Sequence, residues 1–408
     1  MSHDPYQALR YPAFRRFVAG HILAVLGQGM LAVTIGWEIY DRTSSTWALG
    51  MVGLVQVVPL MVLILPAGQL ADSSDRRRIL ILAEATIGLA ALGLWLASRR
   101  QAPIEVYYAL LALYGVGRTF QLPAKQAIMP NLVPLGSLQN AVAWNSGGWQ
   151  GADMIGPAVG GFIIHWAGAG TVYALSAGAA LAFMALVTQI EIRSPASGGR
   201  RVSWRGFLEG IRFVRRSPVL LAAMSLDLFA VLLGGVVALL PVFAKEILLV
   251  GPVGLGWLRA AQSFGAVLVS VGMAHRPPFK RAGRTLLASV AGFGVAIIVF
   301  GLSRNYLLSI AMLFLAGGFD AISVVIRLAL TQLHTPDELR GRVSAVNSLF
   351  IGMSNELGET ESGMLASWIG PVGAVVAGGV GVIGVVTAVG WAWPELRTLD
   401  RLTESSPP

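Results

Sequence analysis

The chain has 408 residues, 55% of them hydrophobic and only 12% charged, with a mean hydropathy of +0.68. So little polar surface cannot coat a soluble globule of this length, and the net charge of +9 is judged by where the cations sit rather than taken as a nucleic-acid footprint. The absence of cysteine excludes disulfides, thiolate metal sites and cysteine nucleophiles; five scattered histidines make no metal-ligand spacing, so neither a metal nor another cofactor is expected.

Apolar runs of the length a helix needs to cross a bilayer recur along the chain. The first, over 14–40, follows Arg10, Arg15 and Arg16; it is too long for a cleaved leader and lacks a small-residue cleavage site, so it reads as the first span. Further spans are expected at 47–71, 79–98, 105–123, 138–166 and 170–191. After a polar break at 192–217 come 218–243, 253–274, 284–303, 306–332, 343–369 and 371–393. In the break Trp204, Phe207, Leu208, Ile211, Phe213 and Val214 form a rough apolar stripe with arginines alongside. That stripe reads either as an amphipathic helix on the anionic inner leaflet or as part of a linker that helps set topology. The expected organisation is an all-α membrane protein of twelve spans: a six-helix bundle over 1–192, a linker over 193–217, a second bundle over 218–394 and a tail over 395–408.

An even number of spans puts both termini on one side. With the N-terminus inside, most of the 30 lysines and arginines fall in cytoplasmic connections, among them Arg76, Arg77, Arg78, Lys125, Arg212, Arg215, Arg216, Arg281, Arg284, Arg340 and Arg342. Only Arg42, Arg99, Arg100, Lys245 and Arg304 fall outside, and Arg118, Arg259 and Arg327 lie within spans. The positive-inside rule therefore sets both termini in the cytoplasm of a bacterial inner membrane.

Between the second and third spans stands Gly68-Gln69-Leu70-Ala71-Asp72-Ser73-Ser74-Asp75-Arg76-Arg77-Arg78. A glycine here lets helices approach, an aspartate at a helix end can meet the positive N-terminus of another helix, and the arginines hold the loop inside. The segment resembles the signature loop of the major facilitator superfamily, with Ser73 and Asp75 in place of the usual basic residue and second glycine. In the fifth span, Gly156-Pro157-Ala158-Val159-Gly160-Gly161 is similar to the GP-x-x-GG motif of that superfamily's antiporters, with Ala143 and Ala152 where upstream glycines stand. Proline bends a helix and the glycines offer a flat packing face. Leu226-Asp227-Leu228-Phe229-Ala230, Leu239-Leu240-Pro241, Thr335-Pro336-Asp337-Glu338-Leu339-Arg340-Gly341-Arg342-Val343, Asn355-Glu356-Leu357-Gly358-Glu359 and Gln121-Leu122-Pro123-Ala124 resemble the enterobactin-exporter-like branch, which includes macrolide-efflux relatives. The resemblance implies two pseudo-symmetric bundles and export of a small molecule by exchange. Gly68, Asp72, Arg76 and Arg77 are then candidates for a cytoplasmic gate, and Gly156, Pro157, Gly160 and Gly161 for closure on the outer side.

Ten ionisable residues fall within the spans: Glu84, Arg118, Asp153, Asp227, Arg259, Asp320, Arg327, Glu356, Glu359 and Glu361. At roughly 3 kcal/mol each in lipid they would cost about 30 kcal/mol, more than the roughly 5–15 kcal/mol net stability of a domain. Most must therefore face a wet cavity or one another. Asp320 and Arg327 share a face of the tenth span, as do Glu356 and Glu359 on the eleventh. Asp227, Asp320, Glu356 and Glu359 read as cavity residues, Glu84 and Glu361 instead as fixed structural pairs, His21 as a packing residue, and Glu38 and Asp41 as solvated at the outer end of the first span. In the resembled fold, spans 1, 4, 7 and 10 line the cavity, bringing Arg118, Asp227, Asp320 and Arg327 together with His21 and Gln28, while Asp153 and Arg259 meet where spans 5 and 8 adjoin.

The resulting expectation is a monomeric, proton-coupled exporter of an amphipathic or anionic organic molecule, siderophore-like or drug-like, with protons and membrane lipids as its other partners and no nucleic acid. A proton-coupled importer or lysolipid flippase is the rival within the class. A channel lacks a repeated filter segment here, a membrane enzyme lacks a clustered His, Cys or Ser pattern, and no phosphate-binding loop points to ATP.

Overall fold

The computed structural model describes residues 4–190, 204–275 and 281–399, and all regular structure within them is helical. Helices α1 (Pro12–Thr43), α2 (Thr46–Ser73), α3 (Arg76–Arg99) and α4 (Ile104–Ile128) take the first four expected spans. The next two form α5 (Leu138–Thr188), two arms that meet at Gly168, whose φ of 78° and ψ of 165° suit a residue without a Cβ. After α6 (Trp204–Arg216), α7 (Pro218–Leu233) begins the seventh span. Helices α9 (Gly251–Ala274), α10 (Ala282–Leu302), α11 (Tyr306–Leu333), α12 (Asp337–Ile369) and α13 (Pro371–Ala392) supply the rest, and α14 (Pro394–Thr398) closes the described chain.

Among the described residues, eight stretches are long and apolar enough by composition alone to cross a membrane, one of them containing both arms of α5. The remaining long helices are more polar: α4 carries Glu105, Arg118 and Lys125, α9 carries Arg259 and Gln262, and α12 carries Glu356, Glu359 and Glu361 beyond a charged first turn. The twelve-helix expectation holds because these three take the span positions that their charges obscure.

One span departs from expectation. The seventh is not a continuous helix over 218–243: α7 stops at Leu233, and the chain continues through a 3-10 turn (Val236–Leu239), the single turn α8 (Leu240–Val242) and a π turn (Phe243–Ile247). Adjacent Gly234 and Gly235 are the cause, each among the weakest helix formers. Glycines seat the broken end: a Cβ on Gly358 would stand 2.9 Å from the Val231 carbonyl oxygen and 3.0 Å from that of Leu232.

The chain divides into two compact units. Unit 1 comprises Met1–Arg42, Val55–Val202 and Gly251–Ala260; unit 2 comprises Thr43–Leu54, Ser203–Val250 and Ala261–Pro408. The first turns of α2 thus group with unit 2 and those of α9 with unit 1. In unit 1, α1 packs on both arms of α5: Gly20 meets Phe183, Gly27 meets Ser176 and Ala179, and Gly29 meets Gly156 and Pro157. The Ser176 hydroxyl donates to the Gly27 carbonyl at 2.8 Å, tying the small-residue seam with a buried hydrogen bond. In unit 2, α10 packs on α11 and α13, and α12 on α7 and α13.

The linker contains a helix, α6, and three residues of its apolar stripe pack on protein. Ile211, Phe213 and Val214 join the unit 2 core, Gly210 lies 2.9 Å (as a built Cβ) from the Arg342 carbonyl oxygen, and Glu209 pairs with the Arg342 guanidinium. Leu208 alone of the described stripe is mostly exposed, at 51%. The side chains of Trp204 and Phe207 lie outside the described residues.

The two units repeat a detail. Gly370, between α12 and α13, has φ 80° and ψ 161°, nearly the geometry of Gly168. About two turns before each lies a glycine in close backbone contact with another helix: Gly161 against Gly256 of α9, and Gly363 against Gly50 of α2.

Candidate functional site

Unit 2 holds a cavity of about 100 Å³ beside the broken end of α7. Its polar wall is Asp227 of α7, Gln262 of α9, Asp320 and Ser323 of α11, and Asn355 and Glu359 of α12. Asp227 forms an ion pair with Arg327, both side chains being more than nine-tenths buried, and Arg327 Nε also donates to Ser323 Oγ at 3.2 Å. Asp320, two turns before Arg327, is close enough to feel both charges. Asp227, Asp320 and Arg327 thus come together as one acid–acid–arginine group. Glu359 and Asn355, one turn apart, share the cavity face of α12. Glu356 is not among the lining residues; its carbonyl backs Gly53 of α2, where a Cβ would stand 2.5 Å away. Glu361, half-buried, takes a long 3.4 Å contact from the Ser362 hydroxyl.

Unit 1 builds a second polar group. The Gln121 amide donates to Glu84 Oε1 at 2.6 Å, and Gln28 reaches Gln121 Oε1 at 3.4 Å. Lys125 Nζ lies 3.2 Å from His21 Nε2, and His21 Nδ1 lies 2.9 Å from Asn145 Oδ1. A charged lysine can only donate, so Nε2 accepts and the Nδ1–H donates to Asn145, a tautomer assigned from its partners. His21 and Gln28 therefore join Lys125 and Gln121, while Arg118 reaches Gln56 Oε1 at 3.3 Å. Still within unit 1, the α5–α9 contact is antiparallel: a Cβ on Gly256 would stand 2.6 Å from the Pro157 carbonyl oxygen, and Gly161 faces Pro252 and Gly256. Asp153 lies about one turn before Pro157 and Arg259 about one turn after Gly256, which puts them at the same level of the crossing.

The GP-x-x-GG segment has two packing faces rather than one flat one. Gly156 and Gly160 meet Leu26, Gly29 and Met30 of α1, Gly161 meets α9, and Pro157 meets both, its ring toward Gly29 of α1 and its carbonyl toward Gly256 of α9. In the signature loop, Arg76 caps two helices, donating to the carbonyls of Ala71 (3.2 Å) and Ala127 (3.1 Å), and Arg77 donates to those of Val187 and Thr188. Cations at C-terminal carbonyls satisfy orphan acceptors and complement the helix dipole. Asp75, where the family has glycine, is the α3 N-cap, accepting from the Arg77 amide at 3.0 Å. The Asp72 side chain lies outside the described residues, and a Cβ on Gly68 would meet nothing within 4 Å, so here Gly68 is not a close-approach point.

The comparisons with known proteins agree with this architecture. The model of the transmembrane secretion effector family matches residues 3–406. The chain belongs to that family, a branch of the major facilitator superfamily of transporters. It is 26% identical over 379 residues to proteins named enterobactin exporter EntS from Escherichia coli O1:K1 and from Shigella boydii serotype 18, an alignment covering 92% of this chain and 91% of each relative. In fold it resembles a bacterial homologue of the human lysosomal transporter Spinster in its inward-facing, occupied conformation, with a TM-score of 0.77, 15% identity and both chains fully covered. It also resembles the nucleoside transporter NupG, with a TM-score of 0.73, 12% identity, and 94% of this chain and 99% of that one covered. Family membership makes the protein a multi-pass membrane transporter and not an enzyme.

Three features of this family member escape a reading of the sequence. Lys125 reads as a loop cation, but α4 runs through Pro123 to Ile128 and carries it inside the helix. Glu38, expected to be solvated, is buried and accepts from the Tyr107 hydroxyl at 2.7 Å, with the Arg42 guanidinium 5.0 Å from the Tyr107 ring. Asn145, which fixes His21, carries no charge to mark it. The one available signal was Gln121-Leu122-Pro123-Ala124-Lys125, a polar pair flanking a proline at the end of an apolar span.

Proposed function

We propose that the protein exports a small amphipathic or anionic organic molecule from the cytoplasm by alternating access, in exchange for protons, as a monomer in a bacterial inner membrane with both termini inside. Two six-helix bundles, 1–192 and 218–394, would enclose the route. The observation that carries the reading is the buried Asp227–Arg327 pair with Asp320 and Glu359 around one cavity. An acid and an arginine in a membrane span are costly unless paired, and pairing makes each sensitive to the charge of the other. A proton taken from the outer side by Asp320 or Asp227 weakens the hold on Arg327, and that favours the state that loads substrate from the cytoplasm. Arg118, Asp153, Arg259, Glu356 and Glu359 supply the other charges of the cycle, with Asp153 and Arg259 making and breaking contact at the α5–α9 crossing. Gly68, open in this structure, is the seat into which a neighbouring helix closes beside Asp72 and Arg76, and the Gly156–Gly161 segment governs closure on the outer side. The export direction is supported by the names of the relatives.

The test is transport in proteoliposomes with an imposed pH gradient and a panel of catecholate siderophores and macrolides. An acidic lumen should drive uptake of at least one compound, collapsing when a proton ionophore is added. Asp320→Asn should abolish the gradient-driven component and keep counterflow. Transport indifferent to the gradient for every active compound would sink proton exchange.

A further inference from the structure

The cycle above gives no role to Lys125, the cation carried near the end of α4. Lys125 has three N–H donors and gives one, to His21 Nε2. The acid of the same network does not bond it: Glu84 takes its hydrogen bond from Gln121, and its buried Oε2 has no hydrogen-bond partner among the described residues. His21, accepting from Lys125, is a neutral imidazole that orients the lysine and offsets none of its charge. Glu84 of α3 lies near enough to act on Lys125 through its field without touching it, and Arg118 of the same helix adds a second positive charge there. A lysine in a membrane span that no carboxylate contacts is costly until an anion meets it. Lys125 is half-buried as a residue rather than sealed in the core. Asn145, whose Oδ1 is taken by His21, still has its Nδ2 donors, and Trp149, one turn along the same face of α5, exposes 46% of its surface.

We propose that Lys125, positioned by His21 and Asn145, is an anion-binding subsite of unit 1 that takes the carboxylate or ionised phenol of an aromatic acid. This rests on the transporter reading and adds the chemistry by which unit 1 recognises its cargo. The ammonium supplies a point charge and the Asn145 amide a second donor. The Trp149 ring gives the apolar body of the ligand a surface to lie against. Glu84 competes with the ligand for the field of Lys125, so removing its charge should tighten binding.

The experiment measures equilibrium binding of salicylate and of salicylamide to the full-length protein in nanodiscs. The two probes share a ring and differ in charge at neutral pH. The wild type should prefer salicylate by about tenfold, and Lys125→Gln should bring the two within about twofold without weakening salicylamide. Lys125→Arg should keep the preference, and Glu84→Gln should raise salicylate affinity severalfold. A wild type without the preference, or a Lys125→Gln variant that retains it, overturns the subsite. If Lys125→Gln does not elute as a folded monodisperse species, Glu84→Gln decides: unchanged salicylate affinity overturns the proposal. Salicylate selectivity through Lys125 without proton-driven transport would keep the subsite and remove only the exchange reading.

Discussion

Arg327 is held in a membrane span by what it touches. Its guanidinium meets Asp227 and Ser323, and with the pair more than nine-tenths buried, water screens little of the attraction. Removing one partner leaves the other as an uncompensated buried charge. Asp227→Asn is expected to cost about 3 kcal/mol, the order found when one member of a buried pair is removed. The double replacement Asp227→Leu with Arg327→Met should cost less than that single change, because no charge is stranded. Thermal unfolding of the purified variants in detergent checks both, and a double variant no more stable than Asp227→Asn would mean the pair does not account for the cost. Asp320 and Arg327 stand out as charges in an apolar run at a spacing that puts them on one face, but the ion-pair partner of Arg327 is Asp227 on another helix, which spacing alone does not give. The burial of Glu38 was not legible: its partner Tyr107 is 69 residues away, and an acid near the end of a span looks the same in sequence whether water or a tyrosine hydroxyl meets it.

At the scale of helices, small residues decide how closely backbones approach. Gly161 packs directly on Pro252 and Gly256, whereas a Cβ at Gly68 meets nothing within 4 Å. Gly161→Ala should therefore destabilise by about 1–3 kcal/mol through overpacking. Gly68→Ala should leave stability unchanged or raise it by up to about 1 kcal/mol, since alanine is the better helix former. If Gly68 is the seat of a closing helix, its variant should still slow counterflow, so that unfolding temperature and transport rate separate at Gly68 and fall together at Gly161. Equal thermal losses at both positions would contradict the packing argument. The glycine motif was legible as a packing surface, but its two faces were not, because which helix lies on which side is a tertiary fact. The end of α7 was hidden for a different reason: hydropathy reports composition, and Gly234 and Gly235 interrupt hydrogen bonding without making the run less apolar.

For the whole chain, one set of cations serves two purposes. Arg76 and Arg77 cap α2, α4 and the second arm of α5, and under the proposed orientation the same two cations would hold the second connection in the cytoplasm. The cations on which the proposed orientation rests are therefore built into the packing, and removing them would cost caps as well as topology. Orientation can be read directly, because a chain without cysteine is a clean background for single introduced thiols. Leu135, in the connection after α4, is 87% exposed, and Leu249, in the connection before α9, is 78% exposed, so a cysteine at either position is open to a water-soluble reagent. With both termini inside, Leu249→Cys should react with a membrane-impermeant maleimide in intact cells, and Leu135→Cys only after permeabilisation. The opposite pattern would place the arginine-rich connections outside and overturn the orientation, and with it the direction assigned to the proton step at Asp227 and Asp320.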